Sequence, residues 1–317
     1  MEGHSKILVT GGAGFIGSHL VDRLIKEGYE VVVLDNLFTG DIENITHHLE
    51  NGMFCLVKGN VRSPANVKEA IRNVDAVFHL AAIVSVPLSI EKPLLVNDVN
   101  LRGTLNLLKA SLKSDVKRFI YASSCAVYGE VDRLPIDERC PTNPISPYAV
   151  SKLAAEYYCK VFHENYGLNT LSLRYFNVYG PRQAKNPYSG VITQFINRLK
   201  QGKPPIVYGD GEQTRDFVHV KDIIEANMLA LSYQRSAGDV INVGTGKSTT
   251  INELANLLIE FFGQAHLKPV YRAPREGDIR NSYADIGKAE KTLGYKPKIT
   301  AKEGIRTLIK NQCKVQQ

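Results

Sequence analysis

The chain has 317 residues, 44% of them hydrophobic and 22% charged, the composition of a soluble globular protein with one large or two modest domains. Its net charge of +7 is spread along the chain without an aromatic–basic cluster, which argues against nucleic acid and for anionic small molecules. No apolar run approaches the ~20 residues of a membrane span, the first apolar stretch is broken by glycines instead of being shaped as a signal peptide, and Cys55, Cys125, Cys140, Cys159 and Cys313 have no metal-ligand spacing, so a reducing, cytoplasmic setting and no metal are expected.

In chain order, KILVTG is a strand and FIGSHLVDRLIKEG an amphipathic helix ending at Gly28. EVVVLDN is the second strand and MFCLVKGNV the third, followed by a helix through ANVKEAIRN; DAVFHLAA is the fourth. VNLRGTLNLLKASLKS is a helix, KRFIYASS the fifth strand, YAVSKLAAEYYCKVFHENYG a long helix from about Tyr148, and NTLSLRYFNVYG the sixth strand. This alternation predicts an α/β fold, a Rossmann-type doubly wound parallel sheet with helices on both faces. After Pro181 the rhythm loosens into Gly/Pro-rich loops, with helical patterns at VITQFINRLKQG, TINELANLLIEFFG and TAKEGIRTLIKNQ, which predicts a smaller mixed α/β lobe. The expected division is 1–176 for a dinucleotide-binding domain and 177–317 mainly for substrate, with the segment about 216–243 returning to the first.

TGGAGFIG places Gly11, Gly14 and Gly17 between a strand and a helix. Glycines there let the backbone approach a pyrophosphate, and the helix N-terminus adds amide donors and a positive dipole. Asp35 closes the second strand 18 residues after Gly17, before Asn36. A carboxylate there accepts from the adenine ribose diol and repels a 2′-phosphate, so NAD is favoured over NADP. Tyr148 and Lys152 stand four residues apart on one helix face. A phenol is a poor base at neutral pH unless positive charge lowers its pKa, and the Lys152 ammonium and an oxidised nicotinamide are expected to do so. Ligands of such sheets bind beyond the carboxyl ends of the strands, where Ser123 and Ser124 end the fifth strand, so a serine hydroxyl there can hold the substrate oxygen that the tyrosine deprotonates.

Together TGGAGFIG, LDN, HLAA, YASSCAVYG, YAVSK, RYFNVYGPRQ, GDGEQTRDFVHVKD, NVGTG and REGDIRNSYAD resemble the extended short-chain dehydrogenase/reductase family over nearly the whole chain, and within it the UDP-sugar 4-epimerases. The resemblance implies a catalytic trio of Ser124, Tyr148 and Lys152, with Ser123 as its structural neighbour. It implies NAD held at the pyrophosphate and ribose end by Gly11, Gly14, Phe15, Ile16, Gly17, Asp35, Asn36, Thr39 and Gly40. Asn60 and Val61 would flank the adenine, although the family usually has Asp where this chain has Asn60. Leu80, Ala81, Ala82 and Asn100 would line the cofactor, and Tyr175, with Tyr148 and Lys152, would meet its nicotinamide end. For a UDP-sugar, the resemblance implies Asn177, Arg215 and Arg275 at the diphosphate, Tyr208 on the base, Asp278 on the ribose and Ser85 near sugar or phosphate.

Two positions bear on the reaction. The 4,6-dehydratases of this family place an Asp-Glu pair after the catalytic hydroxyl, where this chain has Cys125 and Ala126. Ser282 matches a position that is bulky in epimerases restricted to unacetylated sugars, so a small residue implies room for an N-acetyl group. The expected activity is interconversion of UDP-GlcNAc and UDP-GalNAc, with UDP-Glc and UDP-Gal beside them, through a 4-keto intermediate, by a homodimer. The alternatives are a UDP-glucuronate 4-epimerase, a sugar-nucleotide reductase or a non-catalytic NAD-binding regulator.

Overall fold

The computed structural model describes residues 5–183, 190–233, 238–274 and 279–314. Seven strands form one parallel sheet: β1 Lys6–Thr10, β2 Glu30–Asp35, β3 Phe54–Lys58, β4 Ala76–His79, β5 Arg118–Ser124, β6 Thr170–Tyr175, and a last strand Asp239–Val243. The order is Asp239–Val243, β6, β5, β4, β1, β2, β3, every adjacent pair parallel. β1 and β4 are therefore neighbours although β2 and β3 lie between them in the chain, and the winding reverses there. That reversal opens a crevice at the C-terminal edge, where such sheets bind ligands.

The strands bury both faces. Ile7, Val9, Val31 and Val33 pack with Leu20, Val21 and Leu24 of helix Phe15–Lys26 and with Ile223 and Ala226 of helix Val220–Ser232. The alternate residues Leu8, Val32, Leu34 and Val77 pack on the other side with Leu107 and Leu108 and with Ala155, Cys159 and Phe162 of helix Pro147–Tyr166. Each such side chain contributes roughly 1.5–3 kcal/mol by leaving water, and the run of apolar residues on both parities marks a sheet covered twice. Helix Val220–Ser232 and strand Asp239–Val243 thus belong to the large sheet's layers, although both follow the start of the smaller lobe in the chain.

Two expectations are corrected. The stretch read as one helix from VNLRG opens in a wide i→i+5 turn at Asp98–Arg102 and continues as helix Gly103–Lys113, with an unforeseen helix Pro93–Asn97 before it. A further short helix, Val86–Glu91, precedes them. The stretch read as one sixth strand is two: β6 ends at Tyr175, Phe176 N donates to Val243 O at 3.0 Å, and Asn177–Tyr179 pairs in parallel with Phe217–His219 in a separate sheet. Phe176 drops its side chain into a small core with Val127, Tyr128, Ile136 and Ala284, which draws the chain out of the large sheet.

The smaller lobe is built on helices Val191–Lys200, Ile251–Phe261 and Ala301–Lys314, which bury Ile192, Phe195, Leu254, Leu258, Ile305 and Leu308 together. Thr250 and Glu253 form a reciprocal capping box at the start of the second. Strand Thr214–Arg215 lies between Thr249–Thr250 and Asn281–Ser282, and Ile206–Tyr208 pairs with Val270–Arg272.

Candidate active site

The glycine loop joins β1 to helix Phe15–Lys26. Gly11 adopts φ +73°, and a Cβ there would lie 2.8 Å from Ala81 N. A Cβ on Gly17 would lie 2.1 Å from Gly11 O and 2.9 Å from Gly12 Cα. Gly14 is the helix N-cap and offers no side-chain cap, so the first-turn amides have no side-chain acceptor from it. Phe15 and Ile16 are half-buried at this turn, as is Gly40, whose Cβ would press on the Ala13 backbone at 3.0 Å.

Asp35 ends β2 over this loop. Its Oδ2 accepts from Ala13 N at 3.0 Å and its Oδ1 from Leu37 N at 2.8 Å. Burial raises its pKa, while these backbone donors oppose the rise. Asn36 Oδ1 accepts from Phe38 N, and Asn36 and Thr39 are exposed. Of the two residues expected to flank the adenine, Val61 is buried under Gly103. Asn60 Oδ1, expected to serve the adenine amine, accepts from Arg62 N at 2.9 Å and Arg62 Nε at 3.3 Å.

The loop after β4 is pinned by hydrogen bonds. Leu80 N donates to Thr10 O and Ala81 N to Thr10 Oγ1, both at 3.2 Å; Ala82 is half-buried. Asn100, in the wide turn, accepts from Ile83 N and donates to Ile83 O and to Ser151 Oγ at 3.0 Å. Its amide therefore ties the loop to helix Pro147–Tyr166. Behind it, His79 bridges Thr10 Oγ1 at 2.7 Å and Thr104 Oγ1 at 2.9 Å. Burial holds this imidazole down to about 3, with Lys152 adding to the effect, so it is neutral.

The residues expected to form the reacting centre lie at the ends of β5 and β6. Helix Pro147–Tyr166 starts there because Ser146 caps Ala149 N at 3.2 Å and Pro147 occupies its first turn. Tyr148 is buried, and the nearby Ser124 hydroxyl, which accepts from Ala126 N at 3.2 Å, favours the charged form of its phenol. Lys152, one turn on, donates from Nζ to Ala122 O at 2.7 Å and sits 5.0 Å from the Tyr121 ring centroid. In the protein alone, burial pushes Tyr148 up to about 12 and the Ser124 hydroxyl offsets only part of that, so Lys152 by itself does not bring the expected lowering. The lysine is the more perturbed partner, pulled down to about 7 by burial against the opposing pull of Glu156. Ser123 points elsewhere, donating to Glu156 Oε1. The Tyr175 hydroxyl donates to Asn227 Oδ1 at 2.8 Å.

On the substrate side, the structure brings Arg215 and Ser282 together as direct partners in the three-stranded sheet. Arg215 Nη1 donates to Thr214 O at 2.7 Å. Ser282 Oγ is buried without an oxygen or nitrogen partner, and so is Asn177 Oδ1. Cys125, whose thiol burial pushes up to about 11, interacts with Ser282 and with Arg215. Tyr208 ends its strand opposite Arg272, and its carbonyl accepts from Gln213 Nε2 at 2.7 Å. Ser85 caps helix Val86–Glu91, accepting from Leu88 N at 3.1 Å, so its hydroxyl is part of the local fold. Arg275 and Asp278 lie outside the described residues.

Sequence reasoning missed two supports. Asp216, fully buried, accepts from Thr245 N, Thr245 Oγ1, Gly246 N and Ala284 N, and so fixes the NVGTG loop beside Ser282. Glu156 and Arg174 form a buried ion pair behind β5 and β6. The polar residues inside QTRDF and NVGTG were visible, but their pairing is long-range.

The model of the NAD-dependent epimerase/dehydratase family matches residues 7–244. A Methanocaldococcus jannaschii protein provisionally named a UDP-glucose 4-epimerase is 44% identical over 96% of this chain and 97% of its own. The structure of a Thermotoga maritima UDP-glucose 4-epimerase with UDP-glucose is similar at a TM-score of 0.93 and 40% identity, covering 98% of this chain and 100% of that one. The structure of a UDP-N-acetylglucosamine 4-epimerase from Methanobrevibacter ruminantium M1, in complex with UDP-N-acetylmuramic acid, is similar at 0.91 and 40%, covering 98% and 99%. The chain belongs to the NAD-dependent epimerase/dehydratase family. It is an enzyme, and NAD is its cofactor. The loop fits that group: the space a Cβ would fill at Gly11 and Gly17 is taken by backbone, the helix N-terminus carries no side-chain cap, and Asp35 closes the neighbouring strand.

Proposed function

We propose that this enzyme is a 4-epimerase of UDP-hexoses. It interconverts UDP-GlcNAc and UDP-GalNAc, and also UDP-Glc and UDP-Gal, through a transient 4-keto sugar. The observation that carries the reading is the buried Tyr148, one helical turn from the buried Lys152, beside Ser124 at the C-terminal edge of the sheet.

Tyr148 is the base that takes the proton of the sugar 4-hydroxyl, with Ser124 holding the same oxygen. Because burial keeps the phenol near 12, its phenolate forms where positive charge is brought against it, and Lys152 is the protein's own source of that charge. NAD, when bound, supplies the acceptor and donor of hydride. Gly11, Gly14, Phe15, Ile16 and Gly17 hold its pyrophosphate, and Asp35, Asn36, Thr39 and Gly40 its adenosine ribose side. Asn60 and Val61 flank the adenine; Leu80, Ala81, Ala82, Asn100 and Tyr175 line the remainder. After the sugar has turned about its diphosphate and presents the other face of carbon 4, Tyr148 returns the proton to the 4-oxygen.

That turn requires a firm nucleotide and a loosely held hexose. Arg215, Arg275 and Asn177 anchor the diphosphate in this reading, guanidinium forks suiting phosphate oxygens. Tyr208 packs on the base, Asp278 bonds the ribose and Ser85 lies near the sugar. The buried Oδ1 of Asn177 and Oγ of Ser282, without conventional partners, support polar contacts to a ligand on this side. Small Ser282 leaves space for the N-acetyl group. Cys125 and Ala126, after Ser124, provide no acid–base pair for eliminating water. Residues 1–176, with about 216–243, form the cofactor domain and 177–317 mainly the sugar-nucleotide domain.

The enzyme is further read as a homodimer formed through helices of the first lobe. Val150, Tyr157 and Val161 leave an apolar stripe exposed along helix Pro147–Tyr166, beside Leu94, which is 85% exposed. Light scattering should give twice the chain mass. For the activity, incubation with UDP-GlcNAc and no added reductant should yield UDP-GalNAc on separation of the sugar nucleotides. Exchange of UDP-Glc and UDP-Gal alone would restrict the substrate, and exchange of neither pair would refute the reading.

A further inference from the structure

The reaction above gives Glu156 no part, yet it is a fully engaged charge in the interior. It is 4% exposed and lies one turn beyond Lys152 on helix Pro147–Tyr166. Its Oε1 accepts from Ser123 Oγ and from Arg174 Nε at 2.9 Å, and its Oε2 accepts from Arg174 Nη2 at 2.6 Å. Arg174 is 5% exposed, with its guanidinium 4.6 Å from the Tyr128 ring centroid. A buried ion pair seldom stabilises a core more than apolar residues of equal volume would. Fixed geometry is what the pair adds.

The register shows what is being fixed. Ser123 is paired with Arg174 across β5 and β6, and the next rung pairs Ser124 with Tyr175. Glu156 therefore grips both ends of the rung directly beneath the one that carries the hydroxyl of the reacting centre. We propose that Glu156 is a positioning residue: by clamping the Ser123–Arg174 rung it fixes the Ser124–Tyr175 rung against the catalytic helix, and it sets a carboxylate one helical turn from Lys152. Its effect on turnover rests on the 4-epimerase reading; its effect on Lys152 does not.

The groups facing Lys152 come from every side. Its own helix contributes Tyr148, Glu156 and Cys159; β5 contributes Tyr121 and the Ala122 carbonyl; β4 contributes His79, held neutral; β6 contributes Arg174, bound to Glu156. Burial lowers the lysine and Glu156 raises it. Removing the carboxylate leaves burial less opposed, so the ammonium is lost at lower pH.

The test is a pH titration of the Lys152 Cε resonance in protein labelled with 13C-lysine, assigned by its disappearance in Lys152→Met. In Glu156→Gln the midpoint should fall by about one unit, a tenfold loss of proton affinity. The limb of the kcat profile that reports loss of the ammonium should move the same way, with KM for the UDP-sugar little changed. The double variant Glu156→Gln/Arg174→Gln removes both members of the ion pair and should move the midpoint in the same direction, by less. Either variant, folded, with the wild-type midpoint and profile overturns the proposal. A wild-type protein that turns over no UDP-hexose would refute the functional reading and leave the titration as the judge of Glu156.

Discussion

Lys152 Nζ donates to the carbonyl of Ala122, 2.7 Å away and two residues before Ser124 in β5. The bond holds a buried amine whose pKa falls from 10.5 to about 7. Between those values the unfolded chain binds the proton that the native protein has released, so native stability rises with pH across the window and is flat below it. We expect the urea midpoint of the cofactor-free wild type to rise between pH 7 and pH 10 relative to Lys152→Met, by on the order of a few kcal/mol in stability. A difference between the two proteins that does not vary with pH would show that the lysine is not perturbed by folding.

Tyr148→Phe removes one hydroxyl from a buried ring and leaves its packing. Turnover should fall by about 10²–10⁴-fold, the usual worth of a general base, with the thermal midpoint and NAD content close to wild type. Full turnover in the variant would remove Tyr148 from the chemistry.

Gly17 and Gly28 make a matched pair of alanine tests. At Gly17 the added carbon would stand 2.1 Å from Gly11 O, a backbone atom of the phosphate loop. Gly17→Ala should abolish NAD retention. At Gly28, φ is +85° but nothing lies within 4 Å of the new carbon, so Gly28→Ala should cost only about 1 kcal/mol of stability and leave NAD bound. Equal NAD content in the two purified variants would contradict the close approach of the loop.

Ser282 is 1% exposed and directly opposite Arg215. Ser282→Leu should lower kcat/KM for UDP-GlcNAc at least about tenfold more than for UDP-Glc, the scale on which pocket size discriminates. An unchanged ratio would place the acetyl group elsewhere.

Much of this was legible from residues. Strands β1 to β5 announce themselves by short apolar runs between turn residues, and the loop at Gly11, Gly14 and Gly17 by its position between strand and helix. Helices Val86–Glu91 and Pro93–Asn97 were not: they are short, and Pro87 and Pro93 stand in their first turns, where a missing N–H costs nothing. The apolar pattern runs on through Phe176, and only the pairing with Val243 and with Phe217–His219 shows where the strand breaks. The spacing of Tyr148 and Lys152 puts them on one face but carries no measure of depth, so the direction of the phenol's shift was not visible. The grip of Glu156 on Ser123 and Arg174 joins residues 33 and 18 positions apart, beyond any local pattern.

The break at Phe176 has an evolutionary corollary. A single residue separates the strand that ends at Tyr175 from the one that begins at Asn177. Side chains in a strand alternate sides, so adding or deleting one residue here would turn Asn177 away from its present side while the large sheet stayed whole. A change of ligand preference beyond that hinge is therefore expected to come from exchanged side chains at constant spacing, with chain-length variation confined to the loops farther along.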